Sequence, residues 1–226
     1  MSLTIQTIRL PLPLHMGSVN CYLLDTGSGF VLIDTGGSNQ RRQLEAALER
    51  AGCRRGDLRL IILTHGDFDH TGNAAHLRGR LATRIAMHAG DAGMAEDADM
   101  FFNRSKGNPL FSAVIPIFFG FRKADRFTPD ISLQDGADLA EFGLEAQVLS
   151  IPGHSKGSIG VLTASGDLFC GDLLTSSGQQ PALNSIMDDP VTAAGSLEML
   201  KRLPIQTVYP GHGDPFRLEQ LKLESS

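Results

Sequence analysis

The chain has 226 residues, 42% of them hydrophobic, which is enough apolar material for one large domain with a packed core. Its 20 basic and 25 acidic residues give a formal net charge of −5, which argues against nucleic acid or an anionic membrane as the main partner. The three cysteines argue against a disulfide framework, and no run reaches the roughly 18 apolar residues of a membrane span. Because the N-terminus also lacks the pattern of a signal peptide, we expect a cytoplasmic protein.

Short β-rich runs alternate with helical patterns in the first half of the chain. The runs predict strands at residues 3–10, 20–24, 30–33, 58–64 and 84–88. Apolar residues at helical spacing predict one helix from Ser38 or Asn39 to Ala51 and another from Thr71 to Leu81.

The second half of the chain continues this pattern. We predict strands at residues 147–151, 159–163, 168–170 and 206–209, and a helix at residues 191–203. Strands that occur both singly between helices and in hairpins are typical of a layered α/β architecture. Since no linker divides the chain, we expect a single domain over residues 1–226.

The segment from residue 94 to residue 130 stands apart because it is rich in phenylalanine. Half of the twelve phenylalanines lie between Phe101 and Phe121. One interpretation is a helical hairpin buried against the rest of the domain. A second is a lid or wall that covers an apolar part of a substrate. A third is the interface of a homodimer, since large apolar patches often mark contacts.

A dense run of polar side chains follows the strand predicted at residues 58–64. It reads His65-Gly66-Asp67-Phe68-Asp69-His70, and four of its six side chains can bind a metal ion. Imidazole and carboxylate ligands suit zinc, iron and manganese. The alternative is a helix start that Asp69 caps, with the histidines exposed to solvent.

Three later motifs each place a histidine or aspartate directly after a glycine at the end of a predicted strand. They are Gly153-His154, Gly171-Asp172 and Gly211-His212. Glycine allows a tight turn and a close approach of the backbone to a site. One such turn is typical of a surface loop. Three of them together with the run at 65–70 predict a shared metal site, because loops at one edge of a layered fold carry its ligands.

These motifs, in this order, resemble those of the metallo-β-lactamase superfamily. The resemblance rests on residues 19–24, 32–36, 63–72, 152–154, 171–172 and 210–212, and it covers nearly the whole chain. It implies an αββα sandwich with a dinuclear metal site at its edge. It selects no substrate, because members of the superfamily act on lactams, thioesters, lactones or phosphodiesters, or carry out redox reactions.

The resemblance also implies which side chains hold two divalent metal ions, zinc in the first instance, with iron or manganese as alternatives. The ligands would be His65 and His154 for the first ion, Asp69, His70 and His212 for the second, and Asp172 as a bridge between them. Asp69 would also orient the nucleophile and accept a proton.

Asp34 resembles the family carboxylate that lies behind the ligands, orients one of them and tunes its basicity. The residues alone leave a second interpretation open. In that interpretation Asp34 is a turn carboxylate that caps the glycines following it.

Asp67 departs from the family pattern His-x-His-x-Asp-His, because it stands where the second histidine is expected. It either ligates the first metal directly, reaches it through a water because its side chain is shorter, or leaves the first site weak. Direct ligation would make the site harder and more anionic, which favours iron or manganese. The flavodiiron branch of the superfamily carries a glutamate here, but we expect no flavin-binding domain in these 226 residues.

The function predicted from this resemblance is metal-dependent hydrolysis of a small-molecule ester, thioester or lactone by a hydroxide that bridges the two metal ions. The Phe-rich segment would then cover an acyl or aromatic group. One alternative is an iron-dependent oxidoreductase of the flavodiiron or sulfur dioxygenase type, which Asp67 motivates. Another is a non-catalytic ligand-binding protein on the same fold, although every other ligand position is filled.

Overall fold

A computed structural model describes residues 3–104, 109–177 and 180–221, with residues 109–113 described by their backbone alone. The helices and strands of the first half are β1 (Thr4–Pro11), β2 (Ser18–Asp25), β3 (Phe30–Ile33), α1 (Arg41–Arg50), β4 (Leu58–Ile62), α2 (Phe68–Thr71), α3 (Ala74–Leu81), β5 (Arg84–His88), α4 (Ala89–Asp97), α5 (Pro109–Phe118) and β6 (Ile131–Leu133).

The second half contributes further strands and one longer helix. They are β7 (Ala146–Ser150), β8 (Ile159–Thr163), β9 (Asp167–Gly171), β10 (Leu174–Thr175), β11 (Ala182–Leu183), α6 (Pro190–Leu200), β12 (Thr207–Pro210) and β13 (Phe216–Arg217). None of the helices in the described part of the chain has the length and apolar character needed to cross a membrane.

The strands form two larger sheets. The first contains β1 to β6 in sequence order, and β3, β4, β5 and β6 run parallel to one another. The second has the order β13-β12-β9-β8-β7, with β12 parallel to β9. The strands β10 and β11 pair separately as a short antiparallel ribbon.

The alternation of side chains along the strands determines how the layers pack. On β3, Leu32 packs in one apolar cluster with Leu44 of α1, whereas Val31 and Ile33 face a second cluster that contains Phe169 of the other sheet. A third cluster joins α6 to the outer face of the second sheet. Helices therefore cover both outer faces of two packed sheets, and the predicted αββα sandwich is confirmed.

Some predicted elements differ from the observed ones. The helix predicted at residues 71–81 is α3, which begins three residues later at Ala74, because Gly72 and Asn73 separate it from the short helix α2. The Asn73 amide instead donates hydrogen bonds to the backbone oxygens of Thr35 and Gly37, at 2.7 and 3.0 Å. The sequence analysis missed α4. It also missed the short strands β6, β10, β11 and β13, since two or three residues are too few to show an alternation.

The Phe-rich segment contains the end of α4 and all of α5, with residues 105–108 between them outside the described residues. Phe121 is buried and stacks on Phe68, with ring centroids 4.3 Å apart and an interplanar angle of 15°. Val114 and Ile117, in contrast, are 50% and 78% exposed. One end of the segment is therefore core behind the 65–70 turn, while the lid and the homodimer interface stay predictions.

Candidate metal centre

The candidate site lies where strands of both sheets end. Asp34 follows β3, the run at 65–70 follows β4, Asp172 follows β9 and His212 follows β12. Parallel strands end at the same edge of a sheet, and β3 is parallel to β4 as β9 is to β12. The topology therefore brings side chains from distant parts of the sequence to one edge of the sandwich.

The predicted ligands converge in two groups. In each group one ligand atom per residue lies within 4.8 Å of the others, and the groups are His65, His154 and Asp172, and Asp69, His70 and His212. All of these side chains are buried except that of His212, which is half-buried. Such spacings are those of side chains that can share an ion.

Asp172 lies between the two groups. Its Oδ1 is 3.3 Å from His70 Nε2, and its Oδ2 is 3.2 Å from His212 Nε2, although it also belongs to the group of His65 and His154. Burial by itself raises the pKa of this carboxyl, but His212 and His70 hold it well below its usual range. Asp172 is thus ionised in the position expected of a bridging ligand.

Backbone carbonyls orient two of the imidazoles. His154 Nδ1 lies 2.7 Å from the carbonyl oxygen of Ile186, and His212 Nδ1 lies 2.8 Å from that of Ser18. A carbonyl can only accept, so in each ring Nδ1 carries the proton that it donates. In the neutral ring this leaves the lone pair of Nε2 directed into the site, which is the tautomer that a metal ion needs.

Asp34 orients the other two imidazoles. Its Oδ2 accepts hydrogen bonds from His70 Nδ1 at 2.9 Å and from Thr64 Oγ1 at 2.8 Å. Its Oδ1 accepts from the Thr64 backbone N–H at 2.8 Å, and Thr64 Oγ1 lies 3.0 Å from His65 Nδ1. Both carboxylate oxygens are thereby engaged with groups that hold the candidate ligands.

The buried polar atoms of the site fit a pair of divalent metal ions. Among the described residues, His65 Nε2, His70 Nε2 and Asp172 Oδ1 are buried without a hydrogen-bond partner. Each buried polar atom left unpaired costs about 1–3 kcal/mol. A cation at each group would satisfy these atoms, and the mixed nitrogen and oxygen donors suit zinc, iron or manganese.

The carboxylates make the site strongly anionic. Burial by itself lowers the pKa of His212, but Asp172 and Asp69 together raise it to about 11. The pKa values of His70 and His154 are also raised, against the effect of burial, by Asp172 and Asp67 respectively. The imidazoles are therefore protonated in the absence of a metal ion. The carboxylates that raise their pKa values also attract metal ions.

Asp67 faces the first group through one oxygen only. Its Oδ2 is 3.1 Å from His154 Nε2 and 3.6 Å from His65 Nε2, which is close enough for direct ligation of a shared ion. Its Oδ1 is 2.8 Å from Nη2 of Arg104. The sequence analysis missed Arg104, because an arginine in the Phe-rich segment carries no signal of a contact so far along the chain.

Asp91 on α4 is a second residue that the sequence analysis missed. It is fully buried and accepts hydrogen bonds from the Gly66 backbone at 3.0 Å, the Gly157 backbone at 2.8 Å and the Ser155 hydroxyl at 2.5 Å. It therefore joins the loop of the 65–70 run to the loop of His154. An isolated aspartate among small residues gave no sign of this position.

Comparison with known sequences identifies relatives of the chain. A sequence profile of the metallo-β-lactamase superfamily matches residues 16–212. "Beta-lactamase-like protein 2 homolog" of Drosophila melanogaster is 27% identical, over 94% of this chain and 65% of its own length. A hydroxyacylglutathione hydrolase of Shewanella baltica (strain OS155) is 30% identical, over 89% of this chain and 59% of its own length. The chain thus spans less than two thirds of either relative.

Solved structures share the fold. TTHA1623, crystallised in a di-iron-bound form, is 30% identical, with a TM-score of 0.70 over 93% of this chain and 96% of that one. TTHA1429 of Thermus thermophilus, described as a metallo-beta-lactamase family protein, is 26% identical, with a TM-score of 0.70 over 96% of this chain and 76% of that one.

Proposed function

Because the chain belongs to the metallo-β-lactamase superfamily, we propose that it is a metal-dependent hydrolase of an ester, thioester or lactone. The observation that carries the proposal is the convergence of the two ligand groups, with Asp172 in contact with both. Proteins of this fold bind divalent metals, and the presence of two ligand groups supports a pair of them here.

The residues of the chain have distinct roles in this proposal. Two divalent ions, zinc first and iron or manganese as alternatives, would supply a Lewis acid for the substrate oxygen and lower the pKa of a water between them. Burial by itself raises the pKa of Asp69, but His70 and His212 lower it overall, so this carboxylate is ionised and can accept a proton from the nucleophile. Its Oδ2 is 3.5 Å from His212 Nε2, within the second group.

Two features support a small acyl compound as the substrate. The Shewanella baltica relative is named a hydroxyacylglutathione hydrolase, which is a thioester hydrolase. Exposed apolar residues also stand, along the chain, at or near the two carbonyls that hold ligands. Leu14 and Met16, 80% and 55% exposed, precede the Ser18 carbonyl that holds His212, and Ile186, 72% exposed, provides the carbonyl that holds His154. Such side chains suit an apolar acyl group.

An iron-dependent oxidoreductase is the second candidate. The observation that favours it is the di-iron form of TTHA1623, which is 30% identical to this chain. The third carboxylate, Asp67, lies at ligand distance from the first group and makes the site more suited to iron.

The test combines metal analysis with a substrate panel. The protein is purified without chelator, analysed for zinc, iron and manganese, and assayed with aryl esters, a hydroxyacyl thioester of glutathione, an acyl lactone and a β-lactam. We expect turnover of an ester, thioester or lactone that is lost in Asp172→Asn and kept in Asp25→Asn, a change at the exposed end of β2. Full metal occupancy without hydrolysis of any compound, or iron-dependent consumption of oxygen instead, would exclude the hydrolase.

A further inference from the structure

Arg104 brings a guanidinium group from the Phe-rich segment into the candidate metal centre. Its side chain is only 12% exposed. Nη2 of Arg104 lies 2.8 Å from Asp67 Oδ1, although the two atoms are not aligned as a hydrogen bond. The contact is therefore a buried pairing of charges.

The two oxygens of Asp67 have different neighbours. Oδ1 faces Arg104, whereas Oδ2 faces Nε2 of His154 at 3.1 Å and Nε2 of His65 at 3.6 Å. A carboxylate that pairs with a cation through one oxygen presents the other oxygen in a defined direction. Arg104 thus holds Oδ2 toward the first group of candidate ligands.

Neither member of the pair would be stable in this environment alone, because an isolated buried charge is strongly unfavourable. The side chains of Asp67 and Arg104 are only 10% and 12% exposed, and the 2.8 Å contact brings their opposite charges together. Each group therefore compensates the buried charge of the other.

The charges explain why an aspartate is tolerated where the superfamily has a histidine. Replacement of a neutral imidazole by a carboxylate adds one negative charge to the site, and a guanidinium in contact with that carboxylate removes it again. Asp67 and Arg104 together have the net charge of one neutral histidine. Without Arg104, Asp67 would add an uncompensated third carboxylate to a site that already contains Asp69 and Asp172.

We propose that Arg104 is a positioning residue that makes Asp67 a ligand of the first metal ion, and that this pair takes the place of the missing histidine. The inference rests on the metal site of the proposed function and not on the reaction. It also gives the Phe-rich segment a role at the metal centre, since Arg104 lies in that segment after the end of α4.

The test is a double-mutant cycle between positions 67 and 104, read by zinc binding and not by activity. The full chain and its variants are stripped with EDTA, titrated with zinc, and analysed for bound metal and for affinity by chelator competition. We expect Arg104→Gln to weaken the first zinc about 10–100-fold, as is typical when the partner of a metal ligand is removed. Arg104→Lys, which keeps the charge, should retain more of the affinity than Arg104→Gln.

The reciprocal change distinguishes a pair from two independent residues. Asp67→His alone removes the carboxylate that faces Arg104 and leaves the guanidinium buried next to the first ligand group, so we expect this variant to lose the first zinc. D67H/R104Q should recover two zinc ions per chain. The matched control is Arg78→Gln, which removes a more exposed arginine paired with Asp130 at 3.3 Å and should change neither zinc ion.

Two outcomes would overturn the proposal. They are full zinc affinity in Arg104→Gln, and a double variant that binds zinc no better than Asp67→His. If Arg104→Gln does not fold, as judged by circular dichroism, the comparison of Asp67→His with D67H/R104Q decides alone. Failure of the hydrolase assays would leave this result intact, because zinc binding is measured without substrate.

Discussion

The Asp34 carboxylate accepts a hydrogen bond from His70 Nδ1 at 2.9 Å, and the same oxygen accepts one from Thr64, whose hydroxyl contacts His65. One buried carboxylate therefore orients an imidazole in each of the two ligand groups. Its φ of 58° is in the left-handed region, which aspartate and asparagine tolerate better than other side chains with a Cβ. This arrangement couples the two candidate metal sites through a residue that lies outside both groups.

The Asp34→Asn variant should bind both metal ions more weakly. The asparagine amide presents one acceptor and one donor to a place where His70 and Thr64 only donate. We expect a 10–100-fold loss of zinc affinity with the fold retained, because asparagine can adopt the same backbone conformation. Zinc competition with a chromogenic chelator measures the change, and an effect confined to one of the two ions would contradict it.

The metal-free protein should lose stability as the pH rises above neutrality. Without metal, burial by itself lowers the pKa of His212, but the carboxylates outweigh burial and raise this pKa to about 11. The pKa values of His70 and His154 are raised as well. A pKa that is higher in the folded than in the unfolded state stabilises the fold fully below the unfolded value of about 6.5. That stabilisation is lost progressively as the pH rises toward the folded value.

Metal binding should show the opposite trend, because each imidazole must release its proton to become a ligand. Thermal unfolding between pH 6 and pH 9, in EDTA and in zinc, measures both effects. The unfolding temperature in EDTA should fall across this range, while the increase caused by zinc should grow. Calorimetric titration in buffers of different ionisation enthalpy should show proton release, and its absence at pH 7 would argue against these pKa directions.

The Asp91→Asn variant should be less stable than the wild type. Asp91 accepts hydrogen bonds from the backbones of Gly66 and Gly157 and from Ser155, so an amide group would place a donor against a donor. One buried donor left unpaired costs about 1–3 kcal/mol. Urea unfolding of the EDTA-treated protein measures the loss. Asp97→Asn, at an exposed position on the same helix, is the control that should leave stability unchanged.

The Gly211→Ala variant should disrupt the candidate metal centre. A Cβ at this position would overlap Asp172 Oδ1 and come within 2.7 Å of His70 Cε1. We expect at least a tenfold loss of metal affinity, since Asp172 would have to move away from both groups. Gly195→Ala is the control, because nothing lies within 4 Å of its Cβ position and alanine favours the helix by roughly 1 kcal/mol. Equal zinc binding by the two variants would contradict this prediction.

Several strands could be predicted closely from their own residues. Phe30–Ile33, Arg84–His88 and Ile159–Thr163 begin and end where the apolar pattern places them. The helix predicted at 71–81 was wrong in its first three residues, because Asn73 makes tertiary hydrogen bonds to the turn after β3. Local periodicity indicates which face of a helix or strand is buried, but it contains no information about tertiary hydrogen bonds that compete with helix formation.

The candidate ligands could likewise be predicted from local sequence, whereas their contacts with one another could not. The glycine before each of His154, Asp172 and His212, and the spacing within the 65–70 run, are local features that point to metal chemistry. The sequence did not distinguish direct ligation by Asp67 from the alternatives. The distances from its Oδ2 to two imidazoles depend on how the 65–70 loop and the His154 loop are placed. Asp91, on a third segment of the chain, joins these two loops by hydrogen bonds.

The sequence by itself determined the layered fold, the family and the residues that converge, because alternation, turn glycines and ligand types are encoded in short stretches of chain. Only the tertiary structure decided that Arg104 pairs with Asp67 and that Asp34 serves both ligand groups. A buried charge needs a partner, but the partner can come from any segment that packing brings within reach. That choice depends on how the whole chain folds and leaves no local pattern in the residues concerned.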